Sequence, residues 1–134
     1  MKESISIVLV IDHFGSGGAQ RQIVNIANGL IAAGEDVHIF IYYPEFTHHR
    51  ANLDNRVMVH EAVKSNKFGF SVVFKLIGLL YKYNYKSALV FLNTPAFYLE
   101  LASLFYVKKI ILTYSERTSL ELMPIGLLSK IRYK

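Results

Sequence analysis

Residues 5–34, I-S-I-V-L-V-I-D-H-F-G-S-G-G-A-Q-R-Q-I-V-N-I-A-N-G-L-I-A-A-G, constrain the fold more than any other part of the chain. Ile5, Ile7, Val8, Leu9, Val10 and Ile11 form an apolar run too continuous for a strand with one wet face, so a central parallel strand covered on both sides is expected. A glycine-rich turn follows. Ala19, Ile23, Ile26, Ala27, Leu30 and Ile31 then recur at three- and four-residue intervals, with Gln20, Arg21, Gln22, Asn25 and Asn28 on the other side, the pattern of a helix packed by one stripe. Ile23, Ala27 and Leu30 are its expected buried contacts, and Gly34 suits a left-handed cap at its end. A strand, a turn and a helix in this order place free backbone N–H groups and the positive end of a helix dipole at the carboxyl edge of a sheet. An anion can be held there.

The rest of the chain repeats the alternation. Residues 37–42 (V-H-I-F-I-Y), 57–60, 87–92 (S-A-L-V-F-L) and 109–114 (K-I-I-L-T-Y) read as strands. Residues 70–83 carry Val73, Leu76, Ile77 and Leu80 on one face of a helix. Thr94 before Pro95 starts another helix that should run to about Phe105. Strands alternating with helices predict an α/β fold, a Rossmann-like parallel sheet with right-handed crossovers, in which ligands lie at the carboxyl ends of the strands. Residues 13–18, 43–49, 93–94 and 115–118 are the loops that should line that crevice.

Composition narrows the function classes. A chain of 134 residues that is 52% hydrophobic and 19% charged supplies one domain with a real core. It contains no cysteine, which excludes a disulfide framework and a thiolate metal site and accords with a cytoplasmic setting. The apolar run before Asp12 is too short for a signal peptide or spanning helix, and Lys75 interrupts the later apolar stretch at 68–81. The formal charge of +5 suits anionic ligands or an anionic membrane surface, or else a merely solvated lysine-rich surface. Nucleic acid is not an expected partner, because no recognition motif stands behind the charge. The nine tyrosines and nine phenylalanines are expected mostly in the core.

The glycine turn does not complete a known nucleotide fingerprint. Gly15, Gly17 and Gly18 are followed by Ala19 and Gln20, so G-x-G-x-x-G lacks its third glycine, and the turn has no lysine for a P-loop. No cofactor is expected. His48, His49, His38 and His60 lack metal-ligand spacing and a carboxylate on a shared element, so no metal site is expected either.

The phrase G-S-G-G-A-Q-R-Q-I-V-N-I-A-N-G-L-I-A-A-G-E-D-V-H-I-F resembles the amino-terminal domain of glycosyltransferase family 4, retaining enzymes of the GT-B fold. In that family a G-G-A-[EQ]-R turn opens the first helix, N-L-A-N-x-L lies along it and a G-x-x-V strand start follows. T-Y-S-E-R-T at 113–118 also resembles an S-E-R-[NT] turn of one branch. The resemblance covers almost the whole chain in the right order. It implies the acceptor-side half of an enzyme that moves a sugar from a nucleotide-sugar to a saccharide or lipid-linked acceptor.

By the same resemblance, Gly17, Gly18 and Ala19 face the donor phosphates across a cleft, and Asn93, Ser115, Glu116 and Arg117 belong to the substrate-binding edge. The glycines have a second reading as a tight turn alone, and Arg117 reads equally as an ion-pair partner of Glu116 or Glu121 or as an anion clamp. His13 either faces the cleft or packs as a hydrogen-bonded strand-end residue. The family commonly carries a histidine after the fourth strand, where this chain has Asn93, so the catalytic residues stay unassigned.

The family's paired glutamates, separated by seven residues in the donor domain, have no counterpart in residues 1–134. The chain is therefore expected to be one incomplete domain, from a truncated reading frame, a fragment or half of a split enzyme, inactive alone or active with a separate donor-domain chain. The alternative is a Rossmann-like nucleotide- or phosphate-binding or regulatory module without catalysis. The amphipathic, basic segment 120–134 adds an expected peripheral attachment to an anionic membrane at its inner face, or else covers the sheet.

Overall fold

A computed structural model of the chain describes residues 6–64 and 69–115. β1 (Ser6–Val10), β2 (Asp36–Ile41), β3 (Met58–Glu61), β4 (Ser87–Phe91) and β5 (Ile111–Ser115) form one sheet in the order β3-β2-β1-β4-β5. Every pair is parallel. Helices α1 (Gly18–Ala32), α2 (Phe70–Tyr83) and α3 (Asn93–Leu104) flank it. This is the expected α/β, Rossmann-like arrangement, with β1 in the middle, hydrogen-bonded to β2 on one side and β4 on the other.

The unbroken apolar run of β1 is explained by its two covered faces. Side chains alternate along a strand, so Leu9 and Ile11 join Ile39, Ile41 and Phe91 beneath Ile23, Val24, Ala27 and Ile31 of α1. Val8 and Val10 join Phe40, Tyr42, Ala88 and Val90 beneath Val72, Val73, Leu76 and Leu80 of α2 and Leu99 and Ala102 of α3. α1 ends as its glycine suggests. Gly34 has φ 86°, and Gly34 N–H donates to Ile31 O while Glu35 N–H donates to Leu30 O, each at 3.0 Å, a paired closure that satisfies two terminal carbonyls.

Several sequence expectations are corrected. Gln20 lies inside rather than on the wet side of α1, for a reason given below. Leu30 is only half-buried, because the stripe of α1 that meets the sheet is centred on Ile23, Ala27 and Ile31. α3 begins two residues earlier than expected, with Leu92 rather than Thr94 at the cap and Thr94 inside the first turn. β5 is shifted to Ile111–Ser115. Five phenylalanines are exposed: Phe70, Phe74 and Phe97 because α2 and α3 carry apolar residues on their outer sides as well as toward the sheet, Phe105 at the end of α3, and Phe46 in the loop after β2. The segment 120–134 lies outside the described residues, as do Glu116 and Arg117. Among the described residues no helix is long and apolar enough to cross a membrane.

Toward the amino ends of the strands, polar side chains are built into the packing. His38, only 3% exposed on β2, has Nδ1 2.6 Å from the Tyr85 hydroxyl and 3.0 Å from Nε2 of His60 on β3. Its Nε2 lies 3.6 Å from Asp36 Oδ1, two residues earlier on the same strand, so His38 does have a carboxylate on a shared element, contrary to the sequence expectation. Tyr83 closes the group, its ring 4.7 Å from that of His38 and 5.1 Å from that of His60. An imidazole nitrogen carries one lone pair or one hydrogen, so two rings sharing one contact resist double protonation.

Two outcomes follow from this packing. Burial holds His38 below its ordinary value against the opposing pull of Asp36, and burial, then His38, Lys75 and Lys82, holds His60 down to about 4. The unfolded chain takes up these protons near pH 6.5 and the folded chain only below it. The stabilisation is therefore complete above about pH 6.5 and should fall as pH drops toward about 4, read as a declining urea midpoint that H60Q flattens. In the core, Ile23→Ala should cost about 2–5 kcal/mol in denaturant unfolding, and Leu30→Ala clearly less, because Leu30 leaves less apolar surface to lose.

Candidate functional site

Parallel pairing brings the segments after β1, β2, β3 and β4 to one edge of the sheet, and Asp12, the second residue beyond β1, organises it. Its carbonyl accepts the N–H of both Tyr42 (3.0 Å) and Tyr43 (2.9 Å), which fastens the end of β2 to the end of β1. Its Oδ1 accepts the N–H of His13 at 2.8 Å and Nε2 of Gln20 at 2.9 Å, which fastens the first turn of α1 to the same point. Gln20 is 6% exposed on this account. A carboxamide at a nominally wet helix position is drawn inside because the preceding turn supplies a carboxylate to receive it.

The turn itself is shaped by two close approaches. A Cβ on Gly17 would collide with Oε1 of Gln20, and one on Gly15 would stand 2.6 Å from Cε1 of His13. A Cβ on Gly18 would meet nothing within 4 Å. Gly17 is the cap of α1 in extended conformation, no side chain caps the helix, and its first turn holds no acid. The leading N–H groups of α1, those of Gly18 and Ala19 among them, thus have no carbonyl one turn behind and no capping side chain, and the only acid near this end among those described is Asp12, held on Gln20.

His13 is placed by the same turn. Gly15 N–H donates to its Nδ1 at 2.8 Å, which leaves the ring hydrogen on Nε2, 3.6 Å from Asp12 Oδ2. The ring packs 4.8 Å from Phe46 and 6.4 Å from Tyr43, so His13 is a packed, hydrogen-bonded residue just beyond the end of β1. The loop after β2 is stitched on by Phe14 N–H to Phe46 O (3.2 Å) and His49 N–H to Phe14 O (2.8 Å). His49 Nε2 is buried without a hydrogen-bond partner among the described residues, a polar atom left unsatisfied beside this loop.

Across the edge, Leu92 has φ 73° and ψ 157°, a region almost reserved for glycine, and it directly precedes Asn93 at the start of α3. Holding a leucine there costs on the order of 1–3 kcal/mol, and such strain concentrates at sites whose geometry is set by use. Asn93 is exposed and Ser115, ending β5, is half-buried, so both stand at the carboxyl edge with Gly17, Gly18, Ala19 and His13.

Sequence reasoning did not find Asp12, Gln20, Tyr43, Tyr98 or Lys64. Tyr42 and Tyr98 pack edge to face at 5.3 Å, and Tyr42 and Tyr43 lie 4.9 Å apart, a continuous aromatic line from the β1 turn to α3. Burial, then the charge of Asp12, pushes the Tyr42 phenol up, so it stays a neutral hydroxyl. Asp12 was legible as a polar residue ending an apolar run; the others depend on contacts across the sheet. Among the described residues no group of three or more His, Asp or Glu side chains is arranged to hold a metal ion.

The geometry makes Gly17 and Gln20 one unit. Gly17→Ala must expel the Gln20 side chain from Asp12, and Gln20→Ala removes the obstacle along with the bond. Each single change should cost about 1–3 kcal/mol in urea unfolding, and the double variant less than their sum. Simple additivity would show that the two residues do not share the contact.

Compared with known proteins, the chain matches no protein-family model and no curated protein sequence.

Proposed function

We propose that this chain is the acceptor-side, amino-terminal domain of a family 4 retaining glycosyltransferase, whose glycine turn stabilises the diphosphate that leaves the sugar donor. One observation carries the reading: the uncapped, acid-free amino terminus of α1, opened by Gly17 and Gly18, stands at the carboxyl edge of the central strand. The G-G-A-Q-R phrase that suggests the family falls on this turn.

The chemistry asks little of the chain beyond placement and charge. In retaining transfer the bond between the sugar carbon and the diphosphate oxygen breaks, and the acceptor oxygen joins the same face of that carbon after losing its proton. Negative charge grows on the departing diphosphate. Backbone N–H groups of Gly17, Gly18 and Ala19 are fixed dipoles that need no reorganisation to meet it. Asp12 and Gln20 act as positioning residues, since together they fix where the turn points. The acceptor lies along the aromatic line from His13 to Tyr98, and Asn93 and Ser115 border it.

Binding and turnover test this separately. In amide NMR spectra of the 134-residue chain, UDP, GDP or ADP should shift Gly17, Gly18 and Ala19. Gly18→Ala should keep the fold, since its methyl meets nothing, yet weaken that binding at least several-fold by crowding the phosphate. Incubated with UDP-, GDP- and ADP-sugars and saccharide or lipid acceptors, the chain alone should give no transfer, because a retaining reaction needs donor and acceptor held together in a closed cleft. Transfer by the chain alone would relocate the donor site. Nucleotide shifts that avoid the turn would remove the basis of the reading.

A further inference from the structure

Lys64 follows β3 and is half-buried at the same carboxyl edge. Its N–H lies 3.4 Å from Tyr42 O, and the preceding Ala62 N–H donates to Ile41 O at 2.9 Å, so the backbone here still follows the ladder to β2. The ammonium stands 5.6 Å from the centroid of the Tyr98 ring. Contact with the Tyr98 hydroxyl, and more weakly with that of Tyr43, keeps its pKa above the ordinary lysine value.

Tyr98 is itself built in. It is 4% exposed, packs against Tyr42, and its hydroxyl reaches so close to Gly69 that a Cβ there would stand 2.5 Å from the oxygen. Gly69, at φ 68°, therefore serves both the backbone turn and the seat of the phenol.

Among the described residues the charge has no carboxylate counter-ion. No carboxylate among the described residues comes within ion-pair distance of Lys64, while nearby Glu61 is committed to Arg50 at 2.6 Å and Asp12 to His13 and Gln20. A phenol ring attracts an ammonium without cancelling its charge and leaves N–H groups to meet a ligand. A cation held by neutral acceptors, at the edge where parallel sheets bind ligands, is suited to an oxyanion.

We infer that Lys64, seated by Tyr43 and Tyr98, binds an anionic substituent, a phosphate or a carboxylate, on the sugar ring of the acceptor. The inference rests on the acceptor-side reading for the word acceptor, and on the geometry of Lys64 for the anion. It gives the edge two distinct anion sites, backbone N–H groups at the β1 turn and a side-chain cation beyond β3.

Amide NMR titrations of the full chain with glucose 1-phosphate, glucuronate and uncharged methyl glucoside would test it. One or both anionic sugars should shift Lys64, Tyr43 and Tyr98 and bind at least tenfold more tightly than methyl glucoside, the preferred one telling phosphate from carboxylate. Lys64→Gln should abolish that preference and Lys64→Arg keep most of it, with unchanged spectra elsewhere and an unchanged melting midpoint showing that the fold survives. If Lys64→Gln does not fold, Tyr98→Phe should weaken anion binding in its place. Equal binding of charged and neutral sugars, an undiminished preference in Lys64→Gln, or no shift at these residues would overturn the inference. UDP shifts at Gly17 and Gly18 are read in the same samples. Their loss with the Lys64 response intact would defeat the transferase reading alone, and their survival with no Lys64 response would defeat only this inference.

Discussion

Burial of β1 on both faces is the constraint from which the rest of the structure follows. A strand that pairs with β2 on one side and β4 on the other, and that is covered by α1 on one face and by α2 and α3 on the other, is buried from Val8 onward. Its sequence there must therefore be apolar at successive positions, and its neighbours must be parallel, because each is reached by a crossover. The crossovers carry every following loop to the same edge. A binding edge in this fold is thus a by-product of how the core is closed.

At that edge polar atoms are spent on one another before any ligand arrives. Asp12 serves β2 through its carbonyl and both His13 and α1 through its carboxylate, so a single residue sets the relative positions of the turn, the helix and the tyrosine loop. Against this background three groups stand out among the described residues: the leading N–H groups of α1, the ammonium of Lys64 without a carboxylate partner, and the orphaned Nε2 of His49. The strained Leu92 adds to them, since a leucine in a glycine conformation persists only where surrounding packing over-determines it. The opposite end is different in kind. There His38, His60, Tyr83 and Tyr85 satisfy each other in a half-buried cluster that joins β2 and β3 to the end of α2.

The elements were legible because their periods are local. Two-sided burial wrote itself into β1 as a continuous run, and α2 was readable at its full length, Phe70–Tyr83, because its apolar residues repeat every three or four positions. Gly34 announced the end of α1, since few other residues accept its backbone angle. The start of α3 was misread for a physical reason: Thr94 and Pro95 fit the chemistry of a helix start, but Leu92 is forced into the cap by the path of the chain leaving β4. Gln20 was misread because helical periodicity assigns it to solvent, and nothing in that period registers a carboxylate eight residues earlier.

By itself the sequence determined the α/β class, the central strand, the order of elements and the glycine turn at Gly17 and Gly18, because hydrophobic period and backbone permissiveness act over a few residues. Only the tertiary structure decided which polar groups are already satisfied. It joined Asp12 to Gln20, set His38 against His60 across two strands, and seated Lys64 on Tyr98 through Gly69. These pairings depend on strand register and crossover path, which place residues far apart in the chain within hydrogen-bond reach and leave no periodic trace along it.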